Sequence, residues 1–255
     1  WYLTGHAPWS NGYEAIVFIS WISVLAGLLL YKNRNAFIPT TGAMVAVIMM
    51  GFAHGGSMLD PQITPLVPVL KSYWLIVHVA IIVSSYGFFG LSAILGVFSL
   101  IIMLIKPNKK IEISLKEMTY VSEMSLTIGI YLLAVGTFLG GMWANESWGR
   151  YWSWDPKETW AFVSVIVYAV VLHMRLVPGL RGKFAFNVAA MWSIWSVIMT
   201  YFGVNYYLSG LHSYAAGDPI PVPLWVYLTA IGMLVLTFAS WYLHTKVHHI
   251  KDKAE

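Results

Sequence analysis

Seven apolar runs, each long enough to cross a membrane, constrain this chain more than any other feature. A helix needs roughly 20 residues to cross about 30 Å of hydrocarbon. Only 10% of the 255 residues are charged, whereas 58% are hydrophobic. The sequence therefore predicts an all-α fold, a polytopic membrane helix bundle of about seven transmembrane helices. The runs lie at about 14–31, 36–53, 73–105, 122–143, 158–177, 184–206 and 223–245.

The placement of basic residues predicts the orientation of the bundle. Twelve of the 15 Lys and Arg residues lie in 32–35, 106–121, 175–183 and the tail after 245. Cytoplasmic segments are enriched in Lys and Arg, so these segments are expected inside and need no nucleic-acid partner. The predicted outer loops are 54–72, 144–157 and 207–222, and the inner segment 106–121 is expected to form a short interfacial helix. We expect one membrane domain over 1–255, surrounded by lipid.

The most unusual stretch is GMWANESWGRYWSWDPKETW, residues 141–160, which has five tryptophans within eighteen residues. Interfacial aromatic belts explain single tryptophans but not this density. Asp155, Pro156 and Glu158 match the N-cap, first and third positions of a helix with a capping box. We therefore expect an ordered outer loop that presents flat aromatic surfaces to a large planar ligand. The candidate platform residues are Trp143, Trp148, Tyr151, Trp152 and Trp154.

Two histidines flank this stretch in sequence and are predicted at the same end of the bundle. His78 lies five residues after Tyr73, about 7 Å into the third span. His212 follows the sixth span in the segment SGLHSY. A histidine inside a membrane helix is by default a functional hypothesis, and two neutral imidazoles can ligate a haem iron from opposite faces.

A third histidine, His173, is predicted about 22 Å nearer the cytoplasm, fifteen residues after Glu158. It suggests a second, deeper site that needs another ligand, supplied by a partner chain or by His244. Arg175 is expected to pair with an acidic ligand group or to mark the inner boundary of the span.

The segment WGRYWSWDPKETW (148–160) resembles the tryptophan-rich WWD motif of haem-handling proteins of cytochrome c maturation. The contexts SYWLIVHV around His78, VLHMR around His173 and NYYLSGLHSY around His212 are similar to those of the CcsA-type subunit of the system II cytochrome c synthase. The resemblance covers about residues 60 to 245. The chain is also similar to the CcsA part of proteins in which CcsB and CcsA are fused.

The resemblance implies cytochrome c biogenesis and binding of haem b. It implies that His173 binds haem within the membrane, and that His78 and His212 are the axial ligands of the outer haem iron. It also implies that the catalytic site consists of these two histidines with the motif residues Trp148, Trp152, Trp154 and Asp155. The implied activity is that of a holocytochrome c synthase (haem lyase), working with a CcsB-type membrane subunit on the Cys-x-x-Cys-His thiols of apocytochrome c.

Two alternatives remain open from the residues alone. A haem exporter would bind haem without forming a thioether product, and a di-haem electron-transfer subunit would have paired histidines at both depths. The short basic tail and the lack of a transit peptide favour the bacterial cytoplasmic (inner) membrane, with the tryptophan-rich loop on the periplasmic side.

Overall fold

The computed structural model describes residues 2, 5–7, 11–31, 35–55, 59, 61–62, 71–105, 108–212 and 221–251, without the side chains of 244 and 246–251. Within these residues all regular structure is helical, and seven helical segments are long and apolar enough to cross a membrane. The predicted all-α fold with seven spans is thus confirmed. Much of the predicted outer loops 54–72 and 207–222 lies outside the described residues.

The described helices agree closely with the predicted runs, apart from the fourth. The helices are α1 Gly12–Leu29, α2 Phe37–Gly55, α3 Tyr73–Met103, α4 Lys109–Trp148, α5 Pro156–His173, α6 Lys183–Trp192, α7 Ile194–Ile198, α8 Val204–Tyr207 and α9 Leu224–Lys251. A 3-10 turn, Met174–Leu176, follows α5, and a π turn, Met199–Gly203, joins α7 to α8. The sixth span therefore consists of α6, α7, the π turn and α8, over Lys183–Tyr207.

The fourth span corrects two predictions. The segment 106–121 was expected to hold a separate interfacial helix, and 141–160 was expected to be a loop. Instead α4 is one helix of 40 residues, about 60 Å long at 1.5 Å per residue. Asn108 caps its first turn, where the backbone N–H of Ile111 donates to the Asn108 side chain over 2.9 Å. Gly149, with φ of 70°, ends it in the left-handed conformation typical of a C-cap. Because hydropathy marks only the lipid-facing part of a helix, it missed both polar ends.

Helix α3 is central, with α1, α2, α4, α6 and α9 packed around it. Its longest contact is with α4, which approaches closely where Gly129 faces Phe89. The Phe89 ring is fully buried and stacks on Tyr168 of α5, with ring centroids 3.7 Å apart. This aromatic pair joins three helices in the centre of the bundle.

Candidate functional site

A cavity of about 320 Å³ opens at the end of the bundle where α3 and α5 begin and α4 ends. Cofactor sites are typically cavities of this order, mostly apolar with a few convergent polar groups. We call it the tryptophan cavity. The lining residues used below are His78, Trp143, Trp148, Tyr151, Trp152, Lys157, Glu158, Tyr201, Asn205 and His212.

Trp143 links the two histidines of this cavity. Its buried indole stacks on the His78 imidazole, with centroids 5.6 Å apart and planes 17° from parallel. The same indole lies 5.5 Å from the His212 ring. The Trp148 ring meets the rings of Trp143 and His212 edge-on, with ring centroids 4.7 and 4.9 Å apart. The structure thus brings together two histidines that are 134 positions apart in the sequence.

His78 has no hydrogen-bond partner in the part of the chain that the structure describes. Only 8% of the residue is exposed, and neither Nδ1 nor Nε2 contacts a donor or acceptor. A buried polar group left unpaired is costly, and almost all such groups in native proteins are satisfied. Gly140 leaves room for this ring, because a Cβ there would lie 3.0 Å from Nδ1. The His78 imidazole is therefore suited to a ligand that enters the cavity.

His212 is held by Asp155 through a bond of 2.9 Å between Nδ1 and Oδ2. Burial lowers the pKa of His212 below its ordinary value, although the bond to Asp155 acts in the opposite direction. The imidazole is therefore neutral at pH 7. With the proton on Nδ1 donated to Asp155, Nε2 keeps its lone pair. This arrangement of carboxylate and histidine is the usual one for a metal-binding imidazole.

Asp155 accepts hydrogen bonds from several directions. Its Oδ1 accepts from the backbone N–H of Leu211 over 2.6 Å, and its Oδ2 accepts from the backbone N–H of Lys157 over 3.2 Å. Burial raises the pKa of Asp155, but the bonds from His212, Leu211 and Lys157 outweigh burial and leave the pKa below its ordinary value. The carboxylate is thus ionised and fixed.

The predicted capping box at the start of α5 is confirmed. Asp155 is the N-cap, Pro156 starts the helix, and the Glu158 side chain returns to the backbone N–H of Asp155. Glu158 Oε2 also accepts from the backbone N–H of Ser153 over 2.8 Å. The end of the segment between Gly149 and Asp155 is therefore held by hydrogen bonds to Glu158 of α5.

The remaining aromatic candidates lie at different depths. Trp152 and Tyr151 line the cavity, whereas Trp154 does not. Trp154 is 67% exposed, and its ring meets that of Trp152 edge-on, with the ring centroids 5.6 Å apart. Its φ of 59° is a strained conformation for a large side chain. Trp154 thus extends the aromatic surface outward from the cavity.

His173 lies at the opposite end of α5, about 25 Å from Pro156 along the helix axis. Its ring is exposed, and Nδ1 donates to the carbonyl of Ala169 over 2.7 Å. Arg175 pairs with Glu123 at 2.7 Å. The side chain of His244, the predicted local partner of His173, lies outside the described residues. Among those that are described, no group of three or more His, Asp or Glu residues could hold a metal ion.

Sequence reasoning missed two polar residues of this site, Lys157 and Asn205. The Lys157 Nζ donates to Asn205 Oδ1 over 2.6 Å. The sequence did offer a signal for Lys157, because it places a cation in the first turn of α5, where the helix macrodipole favours anions. Asn205 gave no signal, because the π turn before it shifts its direction relative to a regular helix.

A second, almost entirely apolar cavity of about 480 Å³ lies deeper in the bundle, between α2, α3, the sixth span and α9. Tyr86 and Tyr201 line both cavities. Their rings meet edge-on at 6.3 Å, and the Tyr201 hydroxyl donates to the carbonyl of Gly12 over 2.8 Å. These two tyrosines form the wall between the cavities.

Comparison with known proteins identifies the family. Residues 9–212 match the family described as cytochrome c assembly protein. Protein NrfI of Wolinella succinogenes is 47% identical over 222 residues, which is 86% of this chain and 24% of NrfI. The cytochrome c biogenesis protein CcsA of Prochlorococcus marinus is 33% identical, covering 84% of this chain and 78% of that protein. CcsA of Solanum lycopersicum is 34% identical, covering 85% and 79%.

The chain therefore belongs to the cytochrome c assembly protein family. Within that family it is of the CcsA type, a multi-pass membrane protein with seven apolar spans. It covers about a quarter of the length of NrfI and about four fifths of the CcsA relatives.

Proposed function

We propose that this chain acts in cytochrome c biogenesis by binding haem in the tryptophan cavity, with His78 and His212 as axial ligands. The observation that carries the proposal is the pair of imidazoles in one aromatic cavity. His78 has no hydrogen-bond partner at either nitrogen among the described residues, and His212 has its Nε2 left available by the bond of Nδ1 to Asp155. Family membership supports haem as the ligand.

The aromatic lining supplies the surface on which the porphyrin rests. Trp143, Trp148, Tyr151 and Trp152 offer flat apolar area within the cavity, and Trp154 continues it outside. The Trp143 indole lies beside both imidazoles, so a haem bound by both histidines would contact it.

We propose further that the bound haem is the substrate of a holocytochrome c synthase that works with a CcsB-type subunit. Each thiol of the apocytochrome adds across a vinyl group, so that sulfur bonds to one vinyl carbon and the proton goes to the other. The addition is balanced without an oxidant or a reductant. Binding and orientation supply the rate enhancement, since proximity alone can lower a barrier by about 7–11 kcal/mol.

His173 is proposed to bind haem b deeper in the membrane. Its Nδ1 bond to Ala169 leaves Nε2 as the ligating atom. The second ligand would come from the CcsB-type subunit. The proposed location is the bacterial inner membrane, with the tryptophan cavity on the periplasmic side.

The test is an absorption spectrum with a pyridine haemochrome assay on the full chain and its variants. His78→Ala and His212→Ala should each lose the six-coordinate spectrum and regain part of it with added imidazole. His54→Ala is the matched control, because His54 bonds to Tyr13 and does not line the cavity. Unchanged haem content and spectra in both cavity variants would refute the ligand assignment.

A second assay separates the synthase from an exporter. Haem-loaded protein with the CcsB-type subunit is incubated with a Cys-x-x-Cys-His peptide, and the peptide mass is measured. A thioether adduct of peptide and haem supports the synthase. Transfer of haem without an adduct would support the exporter instead.

A further inference from the structure

Lys157 is a cation in the wall of the tryptophan cavity, and among the residues that the structure describes it forms no ion pair with a carboxylate. It is the second residue of α5, after Pro156. Its Nζ lies 2.6 Å from Asn205 Oδ1 and 6.0 Å from the centroid of the Tyr201 ring. Both neighbours are uncharged, and within the described residues no carboxylate lies within ion-pair distance of Nζ.

The two nearby carboxylates are already engaged. Asp155 accepts from His212 and from two backbone N–H groups. Glu158 Oε2 accepts from the backbone N–H groups of Ser153 and Asp155 and from the Ser153 hydroxyl. Asp155 still attracts the ammonium group at a distance, but the hydrogen bonds of the capping box and of His212 hold both carboxylates away from direct contact with Nζ.

The position is unfavourable for a cation in the protein alone. The N-terminus of a helix carries a partial positive charge, which repels an ammonium group. Removal from bulk water adds a further cost for a charge without a partner. The same two features favour an anion beside Nζ, because the helix dipole and the ammonium group attract it together. Positions that break local rules in this way are often functional.

We infer that Lys157 binds a carboxylate of the ligand that fills the tryptophan cavity, a propionate of haem. The inference rests on the proposed function and deepens it. His78, buried and unpartnered in the wall of the same cavity, independently indicates a ligand there. An ion pair at Lys157 fixes one edge of the porphyrin while the imidazoles fix its iron. Lys157 is thus a positioning residue that selects tetrapyrroles with free carboxylates.

The experiment compares the affinity of the full chain for ferric haem and for ferric haem dimethyl ester. The ester keeps the iron, the ring and the vinyl groups but lacks the propionate charges. In the unsubstituted chain, haem should bind about tenfold or more tightly than its ester, as expected for a charge-assisted hydrogen bond. In Lys157→Met this ratio should fall to about one, while the axial spectrum with the ester is unchanged.

Two further variants keep the inference falsifiable. Lys157→Arg keeps the charge and should retain most of the preference for haem. Lys71→Met removes the same charge from an exposed site that does not line the cavity, and it should bind like the unsubstituted chain. Equal affinity for haem and ester in the unsubstituted chain would overturn the inference alone. Failure to bind either tetrapyrrole would overturn the proposed function as well.

Discussion

At the scale of single residues, Asp155 connects the start of α5 with the orientation of His212. The carboxylate caps the helix through the backbone N–H of Lys157 and holds the imidazole through Nδ1. These roles can be separated by substitution, because asparagine caps helices as well as aspartate does but carries no charge.

Asp155→Asn should therefore weaken haem binding about 10- to 100-fold, the usual effect of losing the partner of a ligating histidine. Its melting temperature should fall less than that of Asp155→Ala, because asparagine keeps the helix cap and loses only the charge. Asp155→Ala should lose both properties, since removing an N-cap costs about 1 kcal/mol. Haem titration and thermal unfolding in detergent measure the two effects. Equal haem affinity for the aspartate and asparagine forms would contradict this role of Asp155.

Lowering the pH should reduce the stability of the folded chain through His212 and Asp155. The pKa of His212 is lowered from 6.5, so the unfolded chain takes up this proton more readily than the folded one, and stability falls as the pH drops below 6.5. The pKa of Asp155 is lowered from 3.8, so its contribution is present above 3.8 and disappears as the pH falls through the folded value. Unfolding midpoints measured from pH 8 to pH 4 should decrease below about 6.5. His212→Ala should flatten the upper part of that decrease.

Single residues also show how far sequence reasoning reaches. The capping box was predictable because Asp155, Pro156 and Glu158 are adjacent in sequence and their chemistry is local. The contact of Trp143 with both His78 and His212 was not, because it depends on how three separate segments pack. The orphaned nitrogens of His78 become visible only when its surroundings are known.

At the scale of the helices, the closeness of α3 and α4 depends on small residues. A Cβ at Gly129 would lie 2.5 Å from the Phe89 ring, which cannot withdraw because it is buried against Tyr168. A Cβ at Gly51 of α2 would have no atom of the described residues within 4 Å.

These two glycines predict opposite effects for the same substitution. Gly129→Ala should lower stability by about 1–3 kcal/mol through overpacking. Gly51→Ala should raise it by about 0.5–1 kcal/mol, since alanine favours the helix more than glycine does. Thermal unfolding of both variants in one detergent provides the comparison. A loss of stability in both, or in neither, would contradict the packing of α3 on α4.

The helices were predictable where apolar length alone defines them, as for α1, α2 and α9. The full length of α4 was not, because its ends are polar and are held by caps and by neighbouring segments. For example, the side-chain Nδ2 of Asn35 donates hydrogen bonds to Ser114 Oγ and Glu117 Oε2 of α4, each over 3.1 Å. The π turn at Met199–Gly203 depends on tertiary packing and left no pattern in the sequence.

At the scale of the whole molecule, the distribution of basic residues predicts which end of the bundle faces the cytoplasm. The chain contains no cysteine, so a single introduced thiol reports one position. Arg150, beside the tryptophan cavity, and Lys110, at the start of α4, are both exposed.

Arg150→Cys should react with a membrane-impermeant maleimide in intact spheroplasts, because the tryptophan end is expected outside. Lys110→Cys should react only after lysis. The unsubstituted chain serves as the control, since it has no thiol to label. Labelling in the reverse order would place the tryptophan cavity on the cytoplasmic side.

The wall formed by Tyr86 and Tyr201 has a consequence for the molecule as a whole. One pair of phenol rings borders two cavities, so a rotation that enlarges one cavity changes the shape of the other. A molecule in the apolar cavity that fixed these rings in one orientation would change the affinity of the tryptophan cavity for its own ligand. Thermodynamic reciprocity would then require a ligand in the tryptophan cavity to change the affinity of the apolar cavity by the same factor.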